Sequence, residues 1–320
     1  MFTLRTTISI DKLDWNELSR NPNAIRLLEQ HQDKIHWDSF SLNTNPQAMQ
    51  LIEQNLDKVD WGLLSRNPNA IHLLEKHIDK VDWWELSTNE NAVHILEKNP
   101  HNICMTTLPM NTNPNAMHLI KQNLQHQDLR WGVLSSNEQA IELLEKNIDM
   151  ICWHALPDNP SPKAIALIEK NLDKVDWKML SYNPNAMALI EKHLDKVDWK
   201  MLSYNPNAMA LIEKNLDKIS NYWLSFNPNA TELLEKNQDK IHWKALSEMP
   251  NAIHLLEKNL DKVHWPSLSM NPAIFKLDYD ALRLRCNIYK EELIQVAMHP
   301  LRIQKLLDMG IDFCDLDNYI

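Results

Sequence analysis

Glycine is nearly missing from this sequence: Gly62, Gly132 and Gly310 are the only three among 320 residues. That scarcity excludes glycine-rich phosphate loops and the tight two-residue turns of β-hairpins. Cysteine is also sparse. Cys104, Cys152, Cys286 and Cys314 are far apart and form no CxxC pair, the usage of a reducing compartment rather than of a disulfide scaffold. Basic residues are outnumbered, 33 against 43 acids, for a formal charge of −10. A duplex-binding surface needs clustered Lys and Arg, so direct nucleic-acid binding is not expected. No apolar run approaches the length of a membrane span, and the opening MFTLRTTISIDKLDW has no leader-like apolar core. A soluble protein of the cytoplasm, with no membrane contact, is expected.

What the chain has in abundance is repetition. Residues 172–193 and 194–215 are the same 22-residue text, LDKVDWKMLSYNPNAMALIEK, changed only at its last letter, His193 against Asn215. Tryptophan marks the wider period. Trp15, Trp37, Trp61, Trp83, Trp131, Trp153, Trp177, Trp199, Trp243 and Trp265 share one register, and Met105 and Asn221 fill two further slots. The basic step is 22 residues. Longer steps carry small inserts: NT before Asn45 and Asn113, Ser161–Pro162, and two residues within LQHQDLRW.

Each unit reads as two short helices. In the NPNA element the first Asn is an N-cap and Pro takes the first helical position, where no donor is lost. Glu90 and Glu138 replace that Pro and suit the positive end of a helix; Ser161–Pro162 restores cap and start, and Met249 loses the cap. Apolar residues at helical spacing follow, such as Ala208, Leu211 and Ile212. Then comes a column that holds only Asn or His, read as a helix stop in the left-handed region. The other helix is DWKMLS, with Asp198 as cap and Trp199 and Leu202 facing inward. Strands are excluded, because period-2 alternation is absent.

Units this short cannot bury an apolar face alone and must stack. The predicted fold is all-α: an α-solenoid of about eleven two-helix repeats over 20–272, a capping half-repeat over 1–19, and a helical C-terminal cap over 273–320. An elongated, curved rod on the order of 100 Å is expected from helix spacing. Each slot Trp is read as a core element, worth roughly 3–5 kcal/mol against Ala.

The WxxLSxNPNAIxLLEKN unit resembles tandem repeats in proteins of giant DNA viruses (mimivirus-like), and EELIQVAMHPLRIQKLLDMGID resembles a module that often closes them. The resemblance spans nearly the whole chain. It implies a viral origin and a location in the host cytoplasm or the virion. It brings no catalytic residues.

His72, His94 and His118 recur at one helical position in successive units, and could form an imidazole ladder or simply a solvated face. No zinc spacing or HExxH accompanies them, so no metal and no cofactor are expected. The recurrent Glu and Lys read as a charged stripe, since a catalytic carboxylate pair occupies a unique site. No nucleophile elbow or nucleotide loop occurs, and neither an enzyme nor a small-molecule substrate is expected. Departures from consensus are more informative. Trp84 follows a slot Trp and should face outward. Tyr222 and Trp223 follow Asn221; the first reading tucks Trp223 into the vacant slot, the second exposes it as a partner-binding anchor. Tyr182 and Tyr204 are weaker candidates for such an anchor, because each can pack on Met187 or Met209 as a hydrophobic staple. The expected function is a non-catalytic protein–protein interaction scaffold or adaptor. The alternatives are a structural spacer of a viral particle and an adaptor to nucleic-acid or translation machinery.

Overall fold

The computed structural model describes residues 2–310. It is mostly helical, with two three-residue strands, Phe2–Leu4 and Phe275–Leu277. The chain divides into a large unit, Leu4–Ile274, and a smaller one whose described part covers 2–3 and 275–310.

Within the large unit each helix is only four to eight residues long. In one repeat Asp176 caps Trp177–Tyr182, accepting from the amides of Lys178 and Met179. A 3-10 turn over Pro184–Ala186 follows, then the helix Met187–Lys192. Asp198 caps the next first helix, Trp199–Leu202, accepting from the Met201 amide. Isolated helices of this length are unstable in water, so contacts between repeats must hold them.

Those contacts are a lattice of buried Asn and Ser side chains. Asn205 Oδ1 accepts from the Asn207 amide at 3.0 Å, the expected cap. Its Nδ2 reaches back into the preceding repeat and donates to the Ser181 and Asn183 carbonyls, at 3.2 and 3.0 Å. Ser181 Oγ donates to the Trp177 carbonyl at 2.7 Å and accepts from the Asp198 amide at 3.0 Å, tying its repeat to the next. Every polar atom of the pair is matched, as burial demands. Asn43, Asn67, Asn89, Asn111, Asn137, Asn159, Asn183 and Asn227 repeat the pattern. Met249 cannot, and its turn has no side-chain cap. Pro109 and Pro157 stand in the Ser slot; their carbonyls still accept from Asn137 and Asn183.

The lattice returns to its start. Asn21 Nδ2 donates to the Ser269 and Asn271 carbonyls at 2.9 and 3.1 Å, and Asn23 Nδ2 donates to Pro272 O at 3.0 Å. The Asp14 amide donates to Ser269 Oγ at 2.9 Å, and the Arg5 amide to Ile274 O at 2.9 Å. The Arg5 guanidinium lies 3.5 Å from Glu257. The open rod is therefore replaced by a closed circuit of twelve Trp-slot units. The N-terminal half-unit covers no free end. Its ISIDKLDW stands where NLDKVDW stands elsewhere and completes the last unit, which begins at Trp265.

The core is aliphatic. Leu180, Ala186 and Ile190, with their counterparts around the circuit, are fully buried. The ten slot tryptophans are half-buried, which corrects their reading as core elements. Each of eight carries a lysine ammonium over its ring at 4.7–5.3 Å, from Lys34 over Trp15 through Lys196 over Trp177 to Lys12 over Trp265. Indole thus lids the core on one side and holds a cation on the other.

The Asn/His column also needs correcting. No described residue other than glycine has positive φ; His193 and Asn215 lie at φ −131° and −135°. Asn215 stops its helix by donating Nδ2 to Leu211 O at 2.9 Å. His193 packs edge-on against Trp177, ring centroids 5.2 Å apart. The two residue types occupy one column for different reasons.

The strands Phe2–Leu4 and Phe275–Leu277 pair, and the smaller unit continues with the helices Tyr279–Ala297 and Pro300–Asp308. The last part of the expected C-terminal cap, 311–320, lies outside the described residues. Among the described residues no helix is long and apolar enough to cross a membrane.

Candidate functional site

A frame this regular makes its irregular columns conspicuous. Three residues after the slot stands Leu, or Phe40 once, and always fully buried or nearly so. Two and five residues after it, on one face of the first helix, side chains vary freely in size and charge. The fifth position includes Arg20, Thr88, Ser136 and Asp158, then Tyr182, Tyr204 and Phe226, then Glu248. The second position of the same three aromatic repeats holds Met179, Met201 and Trp223.

These side chains line a groove of about 480 Å³. Tyr182 and Tyr204 stack with centroids 5.1 Å apart and planes at 29°. Trp223 stands at 90° to Tyr204, 6.1 Å away, and Tyr222 meets Trp223 edge-on at 5.0 Å. Tyr222 also touches Phe226 and His242. Burial raises the pKa of Asp158 at the groove's end, although the charge of His154 pulls it down. Burial likewise raises that of Tyr182, with Tyr204 and Asp158 adding to the effect. His154 itself is paired with Asp176 at 2.7 Å.

The Asn221 helix is not rotated to fill the slot. Ser225 Oγ donates to the Asn221 carbonyl at 2.8 Å, as its counterparts do to a slot Trp. Asn221 is exposed, and Trp223 lines the groove rather than the vacancy. Lys240, which has no indole to cover, instead donates to Leu216 O. Tyr222 is 44% exposed and joins the groove. Trp84 is 51% exposed but does not line the groove, and its repeat lies six units from that of Trp223 in either direction, so the structure does not bring it to this site.

The histidines form no ladder with one another. His94 and His118 each reach a glutamate of the preceding repeat, Glu75 and Glu97, at 3.1 Å. Lys76 holds the Glu53 carboxyl below its usual range by hydrogen bond and charge, with His72 contributing less. Lys98–Glu75, Lys192–Glu169 and Lys258–Glu235 continue the stripe of alternating charge. Among the described residues no group of three metal-ligating side chains comes together.

Asp158, Phe226 and the Tyr182–Tyr204 stack were not evident as a site in the linear text. The available signal was the fifth-position column, which turns aromatic in three consecutive repeats. The chain matches no protein-family model, no characterised protein and no solved structure.

Proposed function

We propose that this protein is a non-catalytic protein-binding scaffold, a closed solenoid of tandem two-helix repeats that holds a partner on the aromatic groove of its first helices. The observation that carries the reading is the contrast between columns. Residues that build the frame are nearly constant, whereas the second and fifth positions vary and gather Tyr182, Tyr204 and Trp223, with Tyr222 beside them, into one accessible cluster. Aromatic side chains are the usual anchors of protein interfaces, because they bury much area with little conformational entropy to lose. A spacer role fits less well, since a circuit whose last unit bonds to its first offers no two separated ends. With the resemblance to giant-virus repeats, the proposed partner is a protein of an infected host cell.

The test is affinity capture followed by binding with purified components. A partner retained by the wild type and by Trp84→Ala, but lost from Trp223→Ala and Tyr222→Ala with folding intact, supports the groove. Equal binding by all four moves the interface elsewhere. Absence of any direct protein partner sinks the scaffold reading.

A further inference from the structure

The groove has a chemistry as well as a shape. Along the fifth-position column the order is Asp158, Tyr182, Tyr204, Phe226, Glu248, so three aromatic residues are bracketed by two acids. Asp158 is the charged residue that lines the groove, and no cationic side chain lines it. Ring faces attract cations through their quadrupole, and a nearby carboxylate adds directional pairing. Guanidinium satisfies both demands at once, being planar enough to stack and forked enough to bind a carboxylate through two N–H groups. The protein already uses this chemistry internally, with lysines over its slot tryptophans.

From this juxtaposition we infer that the groove takes an arginine side chain of the partner protein, stacked on its aromatic rings and paired with Asp158. The inference rests on the scaffold reading above and specifies its ligand. Glu248 is placed less directly, because its Oε1 accepts from Ser267 Oγ at 3.0 Å; it contributes charge at the far end. The exposed lysines Lys178, Lys200 and Lys244, one residue after their slots, favour a segment whose arginine is flanked by acidic or neutral residues.

The probe is a short capped peptide carrying one arginine, compared with the same peptide carrying citrulline, its neutral isostere, and with a lysine version. Binding is followed by NMR at the Trp223 indole N–H, assigned by Trp223→Phe. The arginine peptide is expected to bind roughly tenfold more tightly than the citrulline peptide, equivalent to about 1.4 kcal/mol. Asp158→Asn, which removes the charge and keeps the side chain's shape, is expected to remove most of that difference. Equal binding of arginine and citrulline peptides, or an Asp158→Asn variant that still discriminates, overturns the inference. If neither peptide shifts Trp223 while a captured partner still depends on it, the arginine assignment fails and the scaffold reading stands.

Discussion

Asn21 and Ser269 are 248 residues apart in the chain, yet Asn21 Nδ2 donates to the Ser269 carbonyl at 2.9 Å. The bond is the same one that Asn205 makes to Ser181. It makes the first unit the neighbour of the last. Asn21→Ala should therefore cost as much as Asn205→Ala. We expect about 2–4 kcal/mol for each, from a lost cap and two buried carbonyls left without their donor. Denaturant unfolding of the two variants checks this; a near-neutral Asn21→Ala would mean that the closing bonds carry no stability.

Met249 marks the one interface without its asparagine. Met249→Asn should restore the cap on Asn251 and the donors to Ser225 and Asn227. A gain of about 1–2 kcal/mol is expected, read as a higher denaturation midpoint at unchanged slope.

Lys196 over Trp177, at 5.3 Å, represents the eight lysine–indole pairs. A double-mutant cycle with Lys196→Met and Trp177→Leu should return a coupling of about 0.5–1 kcal/mol. Lys240, which covers no ring, should return none with Asn221→Leu.

Asp158 should make stability depend on pH. Burial raises its pKa in the folded chain, so folding favours the protonated acid. That contribution is fully present below the unfolded carboxyl pKa of about 4 and is lost as pH rises through the folded value. Asp158→Asn should accordingly be more stable than the wild type at pH 7 and indistinguishable from it at pH 3 in thermal melts.

Much of the local structure was readable from residue types. The Asp198 cap, the NPNA helix start and the missing cap at Met249 all follow from backbone donors near helix ends, which depend on few neighbours. The roles that were misread depend on the adjacent repeat. A tryptophan looks like core until the lysine above it is known. Asn215 looks like a left-handed stop until its side chain is seen to reach Leu211. Closure was written in the text as two complementary halves, ISIDKLDW and WPSLSMNPAI, but only pairing across the whole chain reveals that they form one unit. The groove was legible in part: Tyr222 and Trp223 stood out as exceptions, whereas Tyr182 and Tyr204, inside the most faithful duplicate, ranked lower because each could equally serve as a hydrophobic staple.

The closed lattice also changes where such a protein comes apart. An open stack frays from its ends, since terminal repeats have one neighbour and melt first. Here every unit has two neighbours, and opening must begin by breaking an interior seam. The Met249 junction, lacking its asparagine, is the seam of least resistance, so the first residues to exchange their amide hydrogens should lie beside it rather than at the ends of the repeat array.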